Sequence, residues 1–201
     1  MNTSVRVVLN TSPEQAAKLR QLQAAFAQAC NALAPLVQKT KVWNRVALHH
    51  MAYKPLREQF PQIGSQMICN AIYSVSRHSR LLFQSPQSPF NLARLGNKPL
   101  PLLRFSDTCP VYFDRHTLSL KDGQLSMYTL DGRMRFHLGL KPEDEVNFHE
   151  KKLREIVLSR VAQDRFELAF LFSDGDDDVA IPLQQNAGEL PEYMMVEEAS
   201  L

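Results

Sequence analysis

The chain has 201 residues, of which 44% are hydrophobic, 8% aromatic and 22% charged, and its formal net charge is +2. These are globular values, which exclude a wholly disordered chain, and the length allows one full-sized domain or two small ones. No apolar run is long enough to span a bilayer, and Met1 to Asn10 lacks the basic start and apolar stretch of a secretion signal, so a soluble cytoplasmic protein is expected.

Val5 to Leu9 reads as a short strand. Ser12-Pro13-Glu14-Gln15 is a helix start: Ser12 can cap, Pro13 suits the first helical position, and Gln15 completes a capping box. Ala16, Leu19, Leu22, Phe26, Cys30 and Leu33 then recur at steps of three or four, one apolar face of a long helix that Pro35 is expected to end. A second helix is expected from Asn44 to Phe60, with Val46, His49, Tyr53 and Leu56 on one face and a break or kink near Pro55. A third runs from about Pro61 to Phe83. Its apolar face carries Ile63, Met67, Ile68, Ala71, Ile72, Val75 and Leu82, and its polar side Ser65, Gln66, Asn70, Arg77 and Arg80.

The character changes after Phe83. Gln84 to Pro101 is rich in Pro, Ser, Asn and Gly and reads as a linker. Short strands follow at Tyr112-Phe113 and Thr117 to Leu120, with a turn at Asp122-Gly123 into Leu125 to Thr129. Asp131-Gly132 turns again into Arg133 to Leu138. Lys141 to Glu150 reads as a charged loop. Leu153 to Val161 and Phe166 to Phe172 pair as a hairpin, Val179 to Leu183 adds a last strand, and residues 186–201 form an acidic tail expected to be mobile. A lone strand, then helices, then many strands suggests an α+β fold in which an antiparallel β-barrel, residues 1–10 and 102–185, is interrupted by helices, 11–83, and a linker, 84–101.

Charge is segregated along the chain. Residues 1–140 hold 17 Lys and Arg against 6 acids, whereas residues 141–201 hold 6 against 15. A basic body with an acidic end suggests a polyanion-binding surface and a shielding tail. Arg77, Arg80, Arg94, Lys98 and Arg104 lie in a run without an acid, and Arg133 and Arg135 alternate along a strand and so share a face. Arginine forks suit phosphate oxygens; the competing reading is a solvated basic surface. Asn44, Ser65, Gln66 and Asn70 sit at helix starts and faces, where an amide can bond a base edge or simply cap a helix.

Other chemistries find little support. Cys30, Cys69 and Cys109 are odd in number and far apart, which argues against a disulfide scaffold or a thiolate zinc site and for ordinary buried or half-buried thiols. Asp174, Asp176, Asp177 and Asp178 crowd one turn, but Gln185 falls where an EF-hand would need its bidentate Glu. His49 and His50 point apart on a helix, and a half-buried, hydrogen-bonded His49 is expected. Trp43, Tyr53 and Tyr73 could stack on bases, although at helical spacing they read first as core. No phosphate-binding or hydrolase motif occurs. The expectation is a protein that is not an enzyme and needs no cofactor.

The order of elements and several strings resemble the N-terminal part of the TnpB family, transposon-encoded RNA-guided nucleases related to type V CRISPR effectors. The strings are Val5 to Gln15 with Leu19; Ala29-Cys30-Asn31; Asn44, Leu48-His49, Tyr53 and Leu56-Arg57; Gln66, Asn70-Ala71-Ile72 and Val75; and Thr117 to Leu120, Gly123 and Thr129 to Arg133. The resemblance implies a wedge-like barrel with an inserted helical recognition lobe, which together hold guide RNA and read a short DNA motif beside the target. It implies that Asn44, Ser65, Gln66 and Asn70 lie where target-adjacent duplex is contacted. The sequence departs from that family in showing no strand that ends in Asp-x-Gly, no matching later Glu and Asp, and none of its zinc-binding cysteines. Two-metal cleavage needs such convergent carboxylates. The expectation is a transposon-derived, nuclease-dead protein that binds structured or guide RNA and, through it, target DNA. The alternatives are a subunit of a split effector whose nuclease acts in trans, or a protein-interaction module; no membrane partner is expected.

Overall fold

The computed structural model describes residues 2–174 and 190–199. The chain is mixed α+β with antiparallel sheets. Its elements are β1 (Thr3–Leu9), α1 (Pro13–Thr40), α2 (Arg45–Gln59), α3 (Ser65–Gln84), α4 (Leu92–Leu95), β2 (Leu102–Phe105), β3 (Val111–Phe113), β4 (Leu118–Lys121), β5 (Gln124–Thr129), β6 (Gly132–His137), α5 (Pro142–Glu150), β7 (Lys152–Ala162), β8 (Arg165–Ser173) and β9 (Met194–Glu197). The strand expected over Val179 to Leu183, and Asp176, Asp177 and Asp178, lie outside the described residues. Among the described residues no helix is long and apolar enough to cross a membrane.

Two compact units are present: residues 2–22 with 110–174, and residues 23–109 with 190–199. In the first, β1 pairs antiparallel with β8, from Thr3 opposite Phe172 to Leu9 opposite Phe166. The strand before the helices is therefore joined to a strand after them, as an insertion requires. The sheet order is β1-β8-β7-β3, and a separate sheet has the order β4-β5-β6. No closed barrel is found among the described residues. Phe166, Leu168, Phe170 and Phe172 are buried along β8. Phe148 of α5 meets Phe170 and Phe172 edge-on, with ring centroids 5.1 and 4.9 Å apart.

α1 starts as its sequence predicts. The Ser12 amide donates to Gln15 Oε1 at 2.9 Å, and the Gln15 amide donates to Ser12 Oγ at 3.2 Å. The face from Ala16 through Leu33 is buried as expected, but Pro35 does not end the helix. It runs on to Thr40, with Val37 buried in the last turns, and stops at Lys41, which takes φ 56°. Pro55 likewise sits inside an unbroken α2. The buried face of α2 is Leu48, Ala52 and Leu56; of the expected face only Leu56 is buried, Tyr53 is half-buried, and Val46 and His49 are exposed.

In the second unit, three amides on α1 hold the segment 100–109. Asn31 clips the β2 backbone, donating to the Phe105 carbonyl at 2.9 Å and accepting from the Phe105 amide at 2.7 Å. Gln23 donates to the Cys109 carbonyl at 3.1 Å, and Gln38 to the Leu100 carbonyl at 3.2 Å. β2 itself pairs with β9. The stretch read as an acidic tail thus contains a strand, and residues 102–109 group with the helices rather than with the other strands. The 141–150 segment, expected as a loop, is the helix α5: Pro142 opens it and Glu143, Asp144 and Glu145 complement the N-terminal end of its dipole.

Candidate nucleic-acid interface

The three-stranded sheet carries the clearest polar face. Two two-residue turns set its register. Asp122 and Gly123, with φ 51° and 76°, join Lys121 to Gln124. Leu130-Asp131 joins Thr129 to Gly132, whose φ of 113° favours glycine. The pairings place Lys121, Gln124 and His137 in one row, Ser119, Ser126 and Arg135 in the next, and Tyr128 with Arg133 in the third. These side chains are exposed or half-buried. The intervening Leu118, Leu125, Met127, Met134 and Phe136 are buried on the opposite face. None of the eight outward positions is a carboxylate; the nearest in sequence, Asp122 and Asp131, are confined to the turns.

Arg133 is anchored across this face. Its Nε donates to Ser126 Oγ at 2.7 Å and its Nη2 to the Ser126 carbonyl at 2.9 Å. Arg135 is exposed, and no described ion pair engages it. Gln124 and His137 bond each other at 3.1 Å. Lys121, Tyr128 and His137 were not singled out from the sequence, although the two tight turns and the alternation of β5 and β6 would have placed them beside the two arginines.

The second unit distributes its candidates differently. Asn44 is the N-cap of α2, its Oδ1 accepting from the Val46 and Ala47 amides at 3.0 and 3.1 Å. Ser65 is the exposed first residue of α3, and Gln66 is half-buried. Asn70 and Arg77, expected on the polar side of this helix, are instead buried, at 7% and 1% exposure. A helix packed on more than one side cannot offer a full polar stripe, and α3 buries 13 of its 20 residues. Neither Asn70 nor Arg77 can reach a nucleic acid on the surface in this conformation. Arg80, Arg94 and Lys98 are exposed. Arg94 donates to the Pro86 carbonyl at 3.3 Å, and Arg104 on β2 pairs with Glu197 of β9 at 3.3 Å.

The aromatic candidates are half-buried. Trp43 packs on Phe83 with ring centroids 5.2 Å apart, and Arg45 lies 5.8 Å above the Tyr73 ring. His49 is exposed, not half-buried, and stacks on the half-buried Tyr53 one turn further along α2, with ring centroids 4.7 Å apart. The thiols are poorly suited to act as nucleophiles. Burial pushes Cys109 up to about 12, with the Asp107 charge adding to it, and burial likewise raises Cys30 well above the ordinary thiol range. Among the described residues no three His, Cys, Asp or Glu side chains gather to hold a metal ion. The chain matches no protein-family model and no curated protein sequence.

Proposed function

We propose that this chain is a non-catalytic nucleic-acid-binding protein, a nuclease-less relative of TnpB that holds structured or guide RNA and, through base pairing, DNA. One observation carries the reading: the outward face of β4, β5 and β6 aligns Lys121, Arg133, Arg135 and His137 without an intervening carboxylate. Such a face suits a phosphate backbone, with Arg135 and Lys121 as the cations left for phosphate oxygens and Tyr128 as an adjoining stacking surface. The pairing of β1 with β8 around the helical insertion is compatible with the finer part of the reading, a wedge-like β-barrel bearing a recognition lobe. In the helical unit, Ser65, Gln66, Arg80, Arg94 and Lys98 are the groups through which that lobe would touch duplex or guide.

The test is binding of structured RNA by the purified chain across a salt series. Each neutralised phosphate contributes a slope of about −0.7 to −0.9 in log affinity against log salt. Lys121→Glu with Arg135→Glu is expected to weaken RNA binding at least tenfold and to flatten the slope by about one to two units. A wild-type chain with no affinity for RNA at about 50 mM salt would remove the proposal.

A further inference from the structure

A cavity of about 250 Å³, room for roughly eight waters, opens beside β6 and the first turns of α1. Its lining brings together Glu14, Gln15 and Lys18 of α1 with Asp131 of the β5–β6 turn and Arg133 and Arg135 of β6. Two carboxylates and three cations therefore face one small space, and of the cations Arg133 is already held by Ser126. Opposite charges so placed would be expected to close on one another. They do not: the ion pairs among the described residues join other partners, and none involves Glu14, Lys18, Asp131 or Arg135.

Five charges of both signs, held around a cavity without forming ion pairs with each other, suit a ligand that offers an anion and hydrogen-bond donors together. A purely anionic ligand would be repelled by Glu14 and Asp131. A cation would be repelled by Lys18 and Arg135. A ribose with its phosphate satisfies both sets. Arg135 and Lys18 take the phosphate oxygens, while a carboxylate accepts the 2′-hydroxyl proton, as acidic side chains do for ribose elsewhere. The Gln15 side chain does not compete for the sugar as a free acceptor, because its Oε1 already receives the Ser12 amide. The 2′-hydroxyl is the one group by which a protein separates RNA from DNA at a single nucleotide.

We infer that this cavity is a ribonucleotide-selective subsite, in which Arg135 and Lys18 hold a backbone phosphate and Asp131 and Glu14 read the adjoining 2′-hydroxyl. The inference rests on the proposed RNA binding and supplies it with a sugar preference. It adds a distinct role for Asp131, an acid that electrostatics alone would count against an RNA surface. Asp131 is well placed for such a role, since its position is set by the tight turn, where its amide donates to Thr129 Oγ1 at 3.3 Å.

The experiment compares binding of one single-stranded sequence made as RNA, as DNA and as 2′-O-methyl RNA, at one salt concentration. The wild type is expected to prefer RNA over DNA about tenfold and to lose most of that preference against 2′-O-methyl RNA. Glu14→Gln with Asp131→Asn, isosteric changes at exposed positions, is expected to reduce the RNA-to-DNA ratio several-fold with DNA binding no weaker. Arg135→Ala is expected to weaken RNA and DNA alike. Equal wild-type affinity for RNA and DNA, or a ratio unmoved in the double variant, overturns the subsite and leaves nucleic-acid binding standing. Absence of binding to all three oligonucleotides overturns both. Unchanged circular dichroism spectra confirm that the variants fold.

Discussion

His78 makes the stability of the helical unit sensitive to acid in a calculable way. The ring is buried, and its Nδ1 lies 2.7 Å from the Ser74 carbonyl. A carbonyl only accepts, so Nδ1 carries the proton and Nε2 receives the Tyr193 hydroxyl at 2.7 Å. Burial lowers the histidine from 6.5 to about 4, opposed by the Ser74 bond and reinforced by the neighbouring Arg77 charge. In the unfolded chain the same ring takes a proton near pH 6.5. Between about 6.5 and 4 the unfolded state thus binds more protons than the folded state, so stability is intact above this window and falls as pH drops through it. At about 1.4 kcal/mol per pH unit, the loss is roughly 2 kcal/mol by pH 5 and roughly 3 kcal/mol by pH 4. Urea denaturation at pH 7 and pH 5, followed by circular dichroism, measures it. His78→Gln keeps an amide in place of the ring, does not titrate, and is expected to lose about 2 kcal/mol less than the wild type between those two pH values. An equal loss in the variant would refute the burial account of His78.

Two further outcomes concern residues whose roles the structure redefined. Asn44→Ala removes an N-cap and is expected to cost about 1 kcal/mol in urea denaturation, whereas Asn44→Asp retains the cap and the stability; equal stability of both variants would show that the cap contributes nothing. Glu197→Lys breaks an exposed pair worth at most about 1 kcal/mol and frees Arg104, so RNA affinity in filter binding is expected to rise several-fold with the melting temperature little changed. An affinity that stays the same would take Arg104 out of the interface.

Local signals in the sequence were readable where a short-range cause set the structure. The Ser12–Gln15 capping box starts α1, and the Asp122-Gly123 turn joins β4 to β5. The apolar spacing from Ala16 to Leu33 marks the buried face of α1. The misplacements share a different cause, tertiary packing that overrides a local preference. Pro35 lacks an amide proton, yet α1 continues because Val37 is buried and Gln38 reaches the Leu100 carbonyl beyond it. Asn70 and Arg77 carry polar side chains at positions that α3 buries on its several packed sides. β2 lies between the end of the linker and Tyr112, where the local pattern predicts no strand, because its partner β9 is about ninety residues away in an acidic segment. No window of ten residues contains that pairing. The candidate site divides in the same way: the alternation of Arg133 and Arg135 was visible, but Lys18 and Glu14 reach the neighbouring cavity only because α1 starts beside β6.

The charge polarity of the sequence has two explanations in the structure, and their magnitudes separate them. Arg6 pairs with Glu167, Arg20 with Asp164 and Arg104 with Glu197, so a cation from the first part of the chain meets an acid from the last each time. Segregation of charge could therefore have arisen simply because late segments fold back onto early ones. Yet these pairs are solvent-exposed, and exposed pairs contribute only about 0–1 kcal/mol each. They also engage three of the 17 basic residues that precede position 141. A fold-back rule accounts for those three and not for Lys121, Arg133 and Arg135, which share one sheet face, Lys121 on β4 and both arginines on β6 with β5 between them. On the proposed reading, that face, whose eight outward positions hold no carboxylate, is where phosphates would lie.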